Sequence, residues 1–366
     1  MPSNRTLRST VMGLALVFVL LLAGCTSVQS PAAPAAVEAG GEQPFAGQTL
    51  IVTSYGGTWE EFMRENILPD FEAETGATVE LAVGLSKDWM AKLRAAGVDN
   101  PPYDVVIANE TWISTGRLEG FFDQLSTDAI PNIEDIHPAL RMQDDIGVLG
   151  LLNPLGIAYR TDLVETPPTS WLDLWNEEFK GKVGIYNIAN SAAPQFLMML
   201  AKIETGDPKN WEVGLEKIKE LAPFKQTDFS GDMENLLIQG EVVVGILDAP
   251  AAARLKQQGV PIEFVLPEEG LFMFEQNMNI TKGSQVKDLA AAFLDYMLSE
   301  PVQTKWAAAY YVTPGNTNVT IEGELAQLIP VTAEKIGMIE KWDWIWLNTG
   351  PREEMVNRWN REISGQ

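Results

Sequence analysis

The sequence predicts an α/β protein with mostly parallel sheets, long enough for two domains. Two observations carry this. From Gln48 onward, short extended patterns alternate with segments of helical periodicity. In addition, Asp104–Ala108 (DVVIA) and Glu241–Leu247 (EVVVGIL) are almost continuously apolar, as strands buried on both faces are.

The first residues read as an export leader. Arg5 and Arg8 give a basic start, Val11–Ala23 is an apolar run, and LAGC (Leu22–Cys25) follows. LAGC resembles the bacterial lipobox, which implies that Cys25 is lipidated and begins the mature chain. Cys25 is the only cysteine, so no disulfide within the chain is available to it. Thr26–Gly47 is rich in Ser, Pro, Ala and Gly without apolar periodicity, and reads as a flexible tether.

The folded part then runs strand by strand. Leu50–Ser54 is extended. Thr58, with Glu61 three residues on, spells a capping box, and Trp59, Phe62, Met63 and Ile67 recur at helical spacing. Pro69 is expected to break or kink that helix, and Gly76 to end it. Thr78–Val83 alternates as a half-buried strand, Trp89–Arg94 is helical, and DVVIA is the next strand. In the second region Trp171–Trp175 starts a helix, Val183–Tyr186 is a strand, and Ser191 caps a helix through PQFLMMLAKIE. Trp211–Leu221 is helical, EVVVGIL a strand, Ala251–Gln258 a helix and Ile262–Leu266 a strand. Leu271–Ile280 is a longer extended segment, Leu289–Leu298 and Val302–Ala309 are helices, and an amphipathic helix spans Glu353–Ile363. Between them, the tryptophans of Lys341–Trp346 (KWDWIW) alternate as they would in a strand.

The formal net charge is −24, which removes nucleic-acid binding from consideration, since that needs a basic footprint. His137 is the only histidine, so a metal site built on several His or Cys is excluded and a nucleophile–His pair has one possible base. No G-x-S-x-G, Walker A or H-E-x-x-H motif occurs, and no cofactor is implied.

In parallel α/β sheets, ligands bind beyond the carboxyl ends of the strands. Those ends are Tyr55-Gly56-Gly57, then Asn109 to Trp112, then Asn187 to Ser191, then Asp248. Gly56-Gly57 suits either a tight turn or close approach of a ligand to backbone N–H groups. Asp248 suits either a helix cap or a ligand contact.

The ordered pieces SYGGTWEEFMRENILPDFEAETGATVEL, PPYDVVIAN, GIAYRTDLVETPPTSWLDLWNEEFKGKVGI, QGEVVVGILD, GVPIEFVLPEEG and YYVTPGN resemble the extracellular solute-binding proteins of ABC importers, in particular the spermidine/putrescine-binding branch. The resemblance implies a two-lobed fold of the periplasmic-binding-protein type II kind, with a ligand cleft between the lobes. After a leader over 1–24 and a lipidated cysteine and tether over 25–47, it puts 48–154 and 279–313 in the first lobe and 155–278 and 314–366 in the second. Together with the leader and LAGC, it implies a lipid-anchored, exported monomer that hands a small amine, first of all a polyamine, to permease subunits, with no catalysis.

Carried over residue by residue, the family's ligand-holding aromatic after the first strand falls on Tyr55. Its Ser-x-Tyr falls on Asn109 and Thr111, with Trp112 adjacent. The later aromatic positions fall on Leu247, Phe274 and Tyr311, the acid pair near Ser191 and Pro194, the acid of the returning strand on Gln276 beside Glu275, and a late polar position near Trp346. The paired acids are therefore absent, and Asp248 and Glu275 are the carboxylates expected to replace them. An amino acid, 4-aminobutyrate or another zwitterion would use a carboxylate together with Gly56-Gly57. An enzyme with Asp248 and Glu275 as an acid/base pair, and a ligand sensor, are the alternatives from other classes.

Overall fold

A computed structural model describes residues 43–142 and 144–364. Cys25 and the leader lie outside these residues. Among the described residues, ten strands form one mixed sheet: β1 (Thr49–Ser54), β2 (Thr78–Val83), β3 (Val105–Ala108), β4 (Val148–Arg160), β5 (Val183–Tyr186), β6 (Lys225–Thr227), β7 (Val244–Asp248), β8 (Ile262–Val265), β9 (Phe272–Ile280) and β10 (Thr313–Pro314). The order is β2-β1-β3-β9-β4-β7-β5-β6, with β8 and β10 also on β4. The flanks are parallel, β1 with β2 and β3, and β5 with β6 and β7. The centre is antiparallel, because β4 and β9 run against each other and against their flanking strands.

β4 is the strand that joins the two halves. Its first part, Val148–Leu155, pairs with β9, and its second, Leu155–Arg160, with β7 and β8. Buried apolar residues divide accordingly. One core runs from Leu50 and Val52 through Phe71 and Trp306 to Val331, Ile336 and Ile339. Another gathers Trp171, Tyr186, Phe196, Phe272 and, from the end of the chain, Trp342, Trp344 and Trp359.

Local departures from the sequence pattern have tertiary causes. Thr58 opens a short helix, Thr58–Phe62, but its hydroxyl lies 2.8 Å from the Tyr310 hydroxyl and makes no capping bond. Pro69 does not interrupt the run. A π-helical turn, Met63–Ile67, precedes it, and Pro69 occupies the opening turn of the helix Leu68–Thr75, where its missing N–H costs nothing. Ser191 makes no side-chain cap; Asn190 Oδ1 instead accepts from the Ala192 N–H at 2.8 Å. The KWDWIW segment is not extended, because Asp343 caps a helix, Trp344–Asn348, by accepting from the Trp346 N–H at 3.0 Å.

Candidate functional site: a cleft at the strand ends

A cavity of about 440 Å³ lies where the loops after β1, β2, β3, β5 and β6 converge on β4 and β9. One wall is built around Tyr55. Its hydroxyl lies 2.6 Å from Ser86 Oγ and donates to Asn109 Oδ1 at 2.7 Å. Asn109 in turn donates its side-chain N–H to the Glu275 carbonyl at 3.0 Å. Burial pushes the Tyr55 phenol far above its ordinary range, so it is a fixed neutral donor. Trp89 packs against the Tyr55 ring with centroids 5.1 Å apart. Trp112 follows on the helix Glu110–Leu118, with the Arg352 guanidinium over its ring at 5.0 Å.

The opposite wall comes from Ala189, Asn190 and Ser191, and from Asp228, Phe229 and Ser230. Asn190 ties these two loops together by donating to the Asp228 carbonyl at 2.9 Å. The floor is Asn153 of β4 with Phe274 and Gln276 of β9. Phe274 meets the Tyr186 ring edge-on at 5.8 Å. Asn153 Oδ1 and Gln276 Oε1 are buried acceptors with no hydrogen-bond partner among the described residues, which a closed native structure rarely tolerates. Lys87 on one wall and Asp228 on the other are exposed charges, and their side chains have no partner among the described residues.

The family pattern of bacterial extracellular solute-binding proteins matches residues 66–329. The chain belongs to that family. This solute-binding protein is 27% identical over 274 residues to the spermidine/putrescine-binding periplasmic protein of Salmonella typhimurium, covering 72% of this chain and 77% of that one. It is 29% identical over 268 residues to spermidine/putrescine-binding periplasmic protein 1 of Haemophilus influenzae, covering 70% and 73%. Among solved structures, an ABC transporter protein from Clostridium perfringens superposes with a TM-score of 0.73 at 27% identity, covering 86% of this chain and 99% of that one. The fold is therefore the two-lobed one, and the function is solute capture for an ABC importer. Among the described residues, no helix is long and apolar enough to cross a membrane.

Of the residues singled out in the sequence of the solute-binding protein, Tyr55, Asn109, Trp112, Ser191, Phe274 and Gln276 line the cleft together. The others do not. Gly56 and Gly57 are exposed outside it, and Gly57 has φ 71°, so the pair serves the turn into the helix at Thr58. Thr111 is buried beneath its helix, which turns Trp112 rather than Thr111 toward the cleft. Asp248 is spent inside the protein, accepting from the Ala251 N–H at 3.0 Å and from Ser230 Oγ at 2.7 Å. Glu275 faces away, because neighbours on a strand point to opposite faces and Phe274 and Gln276 take the cleft side. Asp248 and Glu275 thus share no cavity and form no acid/base pair. Leu247 is fully buried in a helix-packing cluster. Tyr311 ends the helix Glu300–Tyr310 in a left-handed conformation, φ 61°. Trp346 packs on the second core with Lys209 over its ring at 5.3 Å.

Ser86, Lys87, Asn153, Asp228, Phe229 and Ser230 escaped the sequence reading. For Ser86 and Lys87 a signal existed, since they follow the end of β2 as Tyr55 follows β1. β6, with three residues, offered none.

Proposed function

We propose that the cleft captures a small amine-bearing solute, with a polyamine such as putrescine or spermidine as the first choice. The observation that carries this is the pair of buried, unpartnered acceptors, Asn153 Oδ1 and Gln276 Oε1, on the floor between aromatic walls. An ammonium brings the N–H donors they lack. Phe229, an exposed ring on the second wall, supplies the aromatic that the sequence lacks at Leu247, and Asp228 supplies a carboxylate. The names of the relatives support the polyamine reading. We further propose that the lobes, 48–154 with 279–313 and 155–278 with 314–366, close on the cleft by bending β4 and β9, with 331–339 resting on the first lobe. The LAGC sequence supports lipid anchoring through Cys25, and membership of the solute-binding family supports a monomer that presents its closed form to the permease without catalysis.

A second reading has its own observation. Lys87 stands across the cleft from Asp228, which suits a zwitterion with its anionic end on Lys87. Calorimetric titration of Lys87→Met with putrescine and 4-aminobutyrate separates the two. For a polyamine, removing the lysine should tighten binding by roughly threefold to tenfold, since a like charge leaves the site. For a zwitterion it should weaken binding by roughly tenfold to a hundredfold. If neither compound binds the unaltered protein, and other amines fail as well, the amine reading is wrong.

A further inference from the structure

On the far side of β9 from the cleft lies a second cavity, of about 470 Å³. Strand alternation creates it: Met273 and Glu275 face it, while Phe274 and Gln276 face the cleft. Its other walls are the helix Glu110–Leu118, the segment around Leu140 and Leu149, and the chain from Ile336 to Ile345, including Trp342 and Trp344. Mostly apolar walls with a few convergent polar groups are the usual make-up of a ligand site.

The charged groups lining it are nearly all engaged. Arg117 pairs with both oxygens of Glu110, which also accepts from Asn277, and lies 3.8 Å from Asp144. Glu340 pairs with Lys202, Asp343 with Lys209, and Arg141 donates to the Ile136 and Glu134 carbonyls. Lys341 lies at the exposed edge. Glu275 is the buried exception: it is 1% exposed, and its Oε2 has no hydrogen-bond partner among the described residues. Burial pushes this carboxyl up to about 8, against the pull of its own backbone N–H and of Arg352 on the C-terminal helix.

We propose that this hinge-side cavity is a second ligand site, taking a small organic monocation with N–H donors and a short apolar body. The head group meets Glu275 Oε2, and the body lies against Met273, Trp342 and Trp344. The site does not depend on which solute fills the cleft. It is mechanically joined to the cleft, however, since the Glu275 carbonyl accepts from Asn109 and its two chain neighbours form the cleft floor.

The test is calorimetric titration of the full chain in detergent micelles with n-butylguanidinium, which keeps its charge across the pH range, and with the neutral isostere n-butylurea. One saturable guanidinium site is expected, with butylurea at least ~10-fold weaker. Affinity should rise about tenfold per pH unit from about pH 6 toward about pH 8, because only the ionised carboxylate competes for the cation. Glu275→Gln should weaken binding at least ~10-fold at about pH 8. The proposal is overturned by any of four results: no saturable binding, equal binding of butylurea, a flat pH profile, or full affinity in Glu275→Gln. Binding abolished by Asp228→Asn would belong to the cleft and overturn it equally. Should Glu275→Gln not fold, the pH profile and the butylurea comparison on the unaltered protein decide.

Discussion

Truncating Trp171 to alanine should cost about 3–5 kcal/mol of stability and lower the melting temperature by roughly 10 °C. Trp171 is fully buried, stacks on Phe272 at 5.1 Å, leans on Phe196 at 5.4 Å, and donates its indole N–H to the Gly270 carbonyl at 2.9 Å. The turn that presents it is held by a reciprocal cap, in which Ser170 Oγ accepts from the Leu172 N–H and Asp173 accepts from the Ser170 N–H. Removal of the ring leaves a cavity against the first residue of β9, the strand that carries the cleft floor. Trp171→Phe keeps the stacking and loses the hydrogen bond, so it should recover more than half of the loss. Thermal melts followed by circular dichroism measure both. A fall of only a degree or two for the alanine variant would mean that the surroundings collapse into the space and that Trp171 does not anchor β9.

The second large effect is on the pH dependence of stability. The Glu275 carboxyl is raised from 4.5 to about 8 in the folded chain, first by burial. The folded protein therefore holds a proton that the unfolded chain has released across that window. The stability tied to neutral Glu275 is complete below about pH 4.5 and is lost as the pH rises through about 8. Over this range the unaltered protein should lose on the order of 3–5 kcal/mol through this group. Glu275→Gln, permanently neutral, should be insensitive at this position and thus gain on the unaltered protein as the pH rises. Denaturant unfolding at about pH 5 and about pH 8.5 reads the difference. An equal gap between the two proteins at both values would show that Glu275 is ionised throughout.

What the sequence made legible follows from the kind of signal each residue carries. The ends of β1, β3 and β5 could be read because apolar runs stop abruptly there, and Tyr55, Asn109, Trp112 and Ser191 all reach one cleft. β4 could not be read as a strand, since LGLLNPLGIAY combines proline, glycines and no alternation. It is extended because partners on both sides hold it, so Asn153 carried no local mark. Glu275 and Gln276 were indistinguishable for a related reason. Which face of a strand each residue takes depends on a parity set by pairing with β3 and β4, not by the strand's own residues. Asp248 could be read as cap or ligand contact from sequence, and the Ala251 N–H and Ser230 decide for the cap.

The pairing of β3 with β9 has a consequence for how the chain comes to be folded. Val105–Ala108 has β1 on one side from the start, but the partner on its other side is Asn277–Ile280, made only after the whole of the intervening half. During synthesis from the N-terminus, that second edge of β3 stays open while β4 to β8 emerge. Two-lobe completion is therefore a late, long-range event, and such contacts form slowly because the loop must close before any pairing is gained. A delay of that kind keeps the chain incompletely paired while the second half is being made. It also leaves Val105–Ala108, a wholly apolar edge, exposed to wrong partners until β9 arrives.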